Sequence, residues 1–430
     1  MDRRSWLPED LRAYHRGMLM RLLADDGPMT RRQLSQYSGL SIPTTASIVT
    51  ELLTSGHCSE SMPADRSTAR GPRAGLISIV RHGHLVLGVD ISRTWIRVGL
   101  CDLSGVVSEV VTVPVDRSGR PDEVLETAVA ACAPLVRAAG KRLLGFGVAV
   151  PGPVDPAGRT LLLSLALDWR DVPVSERFER AYGTVATAEY NVRAMALAEA
   201  RYGLGRRAEN LLYLHLDDSL GVAFMVDGFA FRQGAHGVAE LGHHQVTADG
   251  PRCACGAVGC LEAIIGEPHL RKRIRAATRH SPVLAGLARR STPPLEILHN
   301  ASEAGDPAAI EILDDVVSHL STAAALSINL FSPSRVALGG VLTEVPKDLL
   351  GQFQSAIQGK VSRILRDEVT VDRATIGRYP GVLGAGTVAL DRLFYRDQPP
   401  ASATRGSRRV RPPWAVAAAG GGEPTVAGHL

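Results

Sequence analysis

The sequence predicts an α/β protein in two parts, a short helical module followed by a larger body of strands and helices. Up to about residue 80, apolar residues recur at helical spacing and then give way to a basic ribbon. From His84 onward, short apolar runs alternate with amphipathic helical stretches, the signature of an α/β body. The length of 430 residues also points to more than one domain. The division read from these features is a module over residues 1–80, a body over 84–395 and a tail over 396–430.

The elements follow in chain order. A first helix over 11–24 offers Met18, Leu19, Leu22 and Leu23 for packing. Thr30 and Gln33 form a capping-box pair: the hydroxyl satisfies an orphan amide and the glutamine reaches back to the cap. The helix they start runs through Leu34 and stops at Gly39, where a left-handed turn carries no Cβ penalty. Ser41 then caps a third helix, with Pro43 tolerated in its first turn and Ile48, Val49, Leu52 and Leu53 on its apolar side. Helix, tight turn and helix is the arrangement that lays its second helix in the major groove of double-stranded DNA. Here the base-facing positions are Thr44, Thr45 and Ser47.

Gly56-His57-Cys58 turns the chain toward a strand. Beyond it, Arg66, Arg70 and Arg73 around Gly71-Pro72 make a ribbon suited to phosphates or the minor groove. Together these read as a winged helix-turn-helix; the competing reading is a small helical interaction domain with a flexible basic linker. In the body, strands are expected over 85–90, 95–102, 144–150, 211–216, 222–226 and 336–338, and helices over 123–139, 192–202 and 308–331. No simple tandem repeat is evident. From Gln398 the Pro, Ala, Gly and Arg content offers no packable periodicity, so a disordered tail is expected.

Composition bounds the function. The chain is 45% hydrophobic and 21% charged, in the globular range, which excludes a fully disordered protein. No apolar stretch approaches the ~18 residues of a membrane span, and no apolar leader follows Met1. A cytoplasmic protein without membrane association is therefore expected. The net charge of +4 is too small to announce a nucleic-acid partner, and its distribution explains why. Residues 1–80 hold ten Arg against eight acids, whereas 396–430 hold five Arg against Asp397 and Glu423. DNA binding must then rest on where individual arginines sit, with the tail adding salt-sensitive affinity. Three of the six cysteines fall within eight residues, a clustering that favours metal over disulfide in the cytoplasm.

With these features assembled, the chain resembles the ROK family, named for repressors, open reading frames and sugar kinases, and within it the xylose and N-acetylglucosamine repressor type. Residues 29–45 are similar to the DNA-binding module of its regulator branch. Val148-Ala-Val-Pro-Gly-Pro-Val-Asp155, Glu240-Leu-Gly-His243 and Cys253-Ala-Cys-Gly-Ala-Val-Gly-Cys-Leu-Glu262 are similar to three further family motifs. The resemblance spans roughly residues 11–395. It implies a winged helix-turn-helix joined to a two-lobed, actin-like sugar-kinase fold, with the lobes meeting near residue 188 and a C-terminal helix returning to the first. It also implies a homodimer or homotetramer that binds operator DNA and controls carbohydrate genes.

His243, Cys253, Cys255 and Cys260 supply one imidazole and three thiolates, the set for a closed, structural zinc site. Gly256 and Gly259 permit the tight backbone between the thiols. On spacing alone His244 competes for the fourth position; the family motif selects His243. By the resemblance, Glu240, His243 and Glu262 match the pocket groups that grip sugar hydroxyls. Support of the zinc loop alone is the other reading of the two glutamates. The family's Glu-Asn-Asp segment aligns with Glu189-Tyr190-Asn191. Tyr190 would therefore wall an effector pocket, and Asn191 stands where the catalytic base would be. An amide cannot take a proton at neutral pH, so no catalytic residue is expected.

The family's phosphate loops align with Asp90-Ile-Ser-Arg-Thr94, which has lost both glycines, and with Asp217-Asp-Ser-Leu-Gly221, which puts two carboxylates where a triphosphate would sit, so no ATP binding is expected. Gly339-Gly340 and Gly384 with Gly386 read as close-packing positions. The segment 234–243 is one residue shorter than the family spacing. The expected function is repression of carbohydrate uptake or metabolism genes, with a sugar or sugar derivative as effector. The alternatives are an ATP-dependent sugar kinase and a DNA-bound regulator signalled by a partner protein.

Overall fold

The computed structural model describes residues 8–62, 75–116, 119–206, 208–232, 237, 239–288 and 292–395. Two units emerge, one made of residues 1–84 with 390–430 and the other of residues 85–389. Arg66, Arg70, Arg73 and the tail 396–430 lie outside the described residues, as do residues 234–236 and 238 of the shortened segment.

The first unit holds helices α1 (Pro8–Asp26), α2 (Arg31–Ser38) and α3 (Ile42–Thr54) and strands β1 (Cys58–Ser61) and β2 (Leu76–Ile79). Local chemistry sets its boundaries. Thr30 and Gln33 form the reciprocal capping box, Gly39 closes α2 in the left-handed region and the Ser41 hydroxyl accepts from the Thr44 amide. The two strands pair antiparallel from Cys58 opposite Ile79 to Ser61 opposite Leu76. Leu19, Met20, Leu34, Ile48, Val49, Leu52 and Ile77 are buried in the core. The six residues Leu390–Tyr395, expected at the end of the body, belong to this unit instead. Asp391 forms an ion pair with Arg21 in which both side chains are 2% exposed, and the Arg21 guanidinium lies over the Tyr395 ring at 3.7 Å.

The second unit repeats one topology twice, although its sequence shows no tandem repeat. Its first half runs β3 (Leu85–Ile91), β4 (Trp95–Asp102), β5 (Val107–Pro114), α4 (Pro121–Ala139), β6 (Leu143–Val150), β7 (Leu161–Ser164), β8 (Trp169–Val172), α5 (Val174–Tyr182), β9 (Ala186–Tyr190) and α6 (Asn191–Tyr202). The main sheet has the order β5-β4-β3-β6-β9, with β6 parallel to β3 and β9 and the other pairs antiparallel. Its second half runs β10 (Asn210–Leu216), β11 (Leu220–Val226), β12 (Phe229–Ala230), α7 (Leu261–Ile265), α8 (Glu267–Ala277), α9 (Pro282–Leu287), α10 (Pro294–Glu303), α11 (Pro307–Phe331), β13 (Arg335–Gly340), α12 (Lys347–Lys360), α13 (Arg363–Arg366), β14 (Thr370–Arg373) and α14 (Pro380–Ala389). The order β12-β11-β10-β13-β14 reproduces the first sheet, parallel at β10-β13-β14.

Burial follows the topology. β3 is buried along its whole length, as a central strand covered on both faces must be. Helix α14 returns to the first half and packs on β3, β6 and α6. That packing needs its glycines: a Cβ at Gly384 would meet the Ala194 backbone, and one at Gly386 the Cys101 sulfur. A side chain at Gly339 would likewise strike the Tyr213 hydroxyl, so these positions are close-packed. Among the described residues no helix is long and apolar enough to cross a membrane.

Candidate effector pocket and metal centre

The expected pocket residues lie where β9 hands the chain to α6, at the short turn 241–243 and in α7. Residues 241–243 make one short helical turn, and Cys253 to Gly259 make a tight loop that closes by Cys253 N–H donating to Ala257 at 2.8 Å and Gly259 N–H to Pro251 at 2.9 Å. Gly259 takes a φ of 72°, and a Cβ there would collide with the Thr247 carbonyl, so only glycine lets the loop return. The result gathers His243, Cys253, Cys255 and Cys260, with one donor atom from each lying within 4.8 Å of all the others.

The edges of this group test what it can hold. His243 Nδ1 lies 3.4 Å from Cys253 Sγ, and the Cys255 and Cys260 sulfurs are 3.7 Å apart. A tetrahedral ion with metal–sulfur bonds of about 2.3 Å and a metal–nitrogen bond of about 2.0 Å spaces its donors roughly 3.5–3.8 Å apart. The donors present therefore fit a zinc-sized ion. His244, equally placed in sequence, is not a member of the group. The other ring nitrogen, His243 Nε2, faces Glu240 Oε2 at 3.8 Å. One imidazole thus joins the metal group to the pocket acids.

The remaining expected residues gather here too. Glu262, in the first turn of α7, accepts from the Leu220 amide at 3.1 Å. Burial pushes the Tyr190 phenol up, and the nearby charges of Glu240 and Glu262 push it further. Asn191 opens α6, where its Oδ1 accepts from the Val192 amide at 2.8 Å. One group was not foreseen. Glu189 is 4% exposed and receives the guanidinium of Arg193, with Nε at 2.9 Å, and also that of Arg232. Arg193 further donates to the Gly237 carbonyl. The four-residue spacing of Glu189 and Arg193 was a visible signal; Arg232, 43 positions from Glu189, gave none.

The phosphate-loop positions hold a different cluster. Asp217 bonds His215 Nε2 at 2.9 Å through one oxygen and accepts from the Val341 amide at 3.1 Å through the other. Asp90 is buried beside them, and desolvation pushes its carboxyl up to about 7 against the opposing charges of Arg97 and His215. Burial would push His215 down, but the Asp217 charge and hydrogen bond and the Asp90 charge carry it above its ordinary value.

In the first unit, α3 corrects one expectation. Thr45 is fully buried, so it cannot face base edges. The reason is periodicity: Thr45 lies on the same stripe as Ile48, Val49 and Leu52. Ile42 at 63% exposure, together with Thr44 and Ser47, forms the outward face, and Ser47 Oγ accepts from Arg12 at 3.2 Å.

The ROK family matches residues 86–392. The chain belongs to the ROK family. Among its relatives, the DNA-binding transcriptional dual regulator NagC of Escherichia coli is 27% identical over 83% of this chain and 87% of its own length. The glucokinase of Thermotoga maritima is also 27% identical, over 72% of this chain and 98% of its own. Among ROK structures, a transcriptional regulator homologous to the Escherichia coli Mlc protein superposes with a TM-score of 0.76 at 23% identity, covering 90% of this chain and 98% of that one. The two regulator matches cover 83% and 90% of the chain, against 72% for the glucokinase.

Proposed function

We propose that this ROK protein is a transcriptional repressor of carbohydrate uptake or metabolism genes, with a zinc-stapled, non-catalytic effector body. The observation that carries the reading is α3. Capped at both ends and anchored by a buried apolar stripe, it turns Ile42, Thr44 and Ser47 outward at its N-terminal end, the part of a recognition helix that meets base edges. Short hydroxyls and one apolar side chain suit thymine methyl groups and base-edge hydrogen bonds. The module with its basic ribbon (Arg66, Arg70, Arg73) binds one operator half-site, and a homodimer or homotetramer binds two.

In the body, His243, Cys253, Cys255 and Cys260 hold structural zinc, which brings rigidity and no chemistry of its own. Glu240, His243, Glu262, Tyr190 and Asn191 line the effector pocket. Ligand binding there shifts the spacing of paired recognition helices and so the affinity for two half-sites. Mapping of genomic binding sites, followed by release assays with sugars and sugar phosphates on the recovered operators, tests the reading. Thr44→Glu with Ser47→Glu should abolish specific binding; unchanged binding would move recognition elsewhere.

The glucokinase relative supports a second reading, an ATP-dependent sugar kinase. Asn191, the glycines missing from Asp90-Ile-Ser-Arg-Thr94 and the carboxylates of Asp217 and Asp218 oppose it, and ATP-dependent phosphorylation of glucose or N-acetylglucosamine by the purified protein would establish it.

A further inference from the structure

We infer that the second half of the body carries another metal site, made by His299, Glu303 and Asp348, that takes a first-row divalent transition metal. His299 and Glu303 stand four residues apart on α10, one turn along the same face. Asp348 enters from the first turn of α12. One donor atom from each residue lies within 4.8 Å of the other two, and His299 Nε2 is 3.3 Å from Asp348 Oδ2. The group shares no residue with the cysteine cluster.

Three features point to a cation. First, the imidazole is committed to nothing else: His299 is 6% exposed, and its Nδ1 has no hydrogen-bond partner. The nitrogen that faces the acids is Nε2, whose neighbour there is the Asp348 carboxylate, so an ion held between them would replace that one contact. Second, Glu303 is the last residue of α10, at the negative end of a helix that carries no basic residue in its last turn. Third, among the described residues neither Glu303 nor Asp348 forms an ion pair with Lys or Arg, so two carboxylates face each other with only a histidine between them. A divalent ion would neutralise both.

Ligand chemistry narrows the occupant. One imidazole with two carboxylates selects zinc, nickel or their neighbours over calcium and magnesium, which take oxygen ligands. Both carboxylates are exposed, which leaves coordination positions open to water. Bound there, the ion would tie the end of α10 to the start of α12, two helices that both pack on α11.

The test uses untagged full-length protein with zinc already in its cysteine loop, titrated calorimetrically with Ni²⁺ in chelator-free buffer. One saturable site per chain and a Ni²⁺-dependent rise in melting temperature are expected. Glu303→Gln with Asp348→Asn should remove both, leaving the zinc content and the melting temperature without nickel at wild-type values. Each single variant should weaken binding, which keeps the test decisive if the pair fails to fold. Absence of saturable binding to the wild type, or wild-type binding by the double variant, overturns the inference. The carboxylates are chosen because His299 is buried and its loss would disturb packing by itself.

Discussion

Two clusters of ionisable side chains lie in the same body and behave oppositely. In the cysteine loop, four donors converge at ligand spacing, and the contacts among them are those that a central ion would replace. At the positions aligned with the family's phosphate loops, Asp217 spends both oxygens on His215 and the Val341 amide, while Asp90 is buried beside them. The first set is open and calls for a cation. The second is satisfied within itself, its Asp217 carboxylate paired with His215 and the Val341 amide. The two clusters thus differ in what they need: the first brings donors together without a partner between them, and the second supplies its own partners.

The largest effect should come from opening the first cluster. Cys260 is fully buried, and Cys260→Ser removes a thiolate from a closed four-ligand site. Loss of bound zinc and destabilisation on the order of several kcal/mol are expected, because metal affinity in such sites is folding free energy. Mass spectrometry for zinc and hydrogen exchange across residues 241–265 would register it. A variant with wild-type melting and exchange would mean that the loop holds itself together without metal, and the contrast between the clusters would disappear.

Titrating the second cluster should have a smaller effect of definite sign. The Asp90 carboxyl is raised to about 7, so between roughly pH 4 and 7 the folded chain binds a proton that the unfolded chain has released. Its contribution makes stability fall as pH rises through that window and level off above it. His215, also raised, contributes stability that is present below its unfolded value and lost as pH rises through its folded one, so the two add. Asp90→Asn should therefore stabilise the protein at pH 8 by a few kcal/mol relative to wild type and have little effect at pH 4. Urea unfolding at the two values decides it; equal effects at both would place the ionisation of Asp90 outside the folding equilibrium.

How much of this was legible follows the range of each interaction. The caps of α2 and α3 were readable because Thr30 with Gln33, Gly39 and Ser41 act within one turn. Strands β3, β4, β6 and β10 were readable as apolar runs bounded by turns. The metal group was readable because three of its donors lie within eight residues.

What escaped was short or non-local. Helices α8, α9 and α10 each carry Pro in the first turn, a start signal, but span too few turns for periodicity to stand out. The polar character of Thr45 concealed its place on the apolar stripe. The pairing of Arg232 with Glu189, and that of Arg21 with Asp391 across 370 positions, depend on the finished fold.

The subtlest test restores the missing base. General-base catalysis contributes about 10²–10⁴-fold to a reaction whose other parts are in place. Asn191→Asp puts a carboxylate at the start of α6, next to Tyr190. If the base were the only loss, ATP-dependent sugar phosphorylation would appear in the variant. None is expected, because Asp217 and Asp218 still stand where the family's second phosphate loop has Gly and Thr, and a base cannot act on a donor that does not bind. Coupled-enzyme assays with glucose and N-acetylglucosamine, beside ATP titrations of the same variant, separate the outcomes. Turnover would show that the cleft still admits nucleotide and that Asn191 alone silences the site. Failure of both assays would mean that more than the base departs from the kinase pattern, as the substitutions across 90–94 and 217–221 lead one to expect.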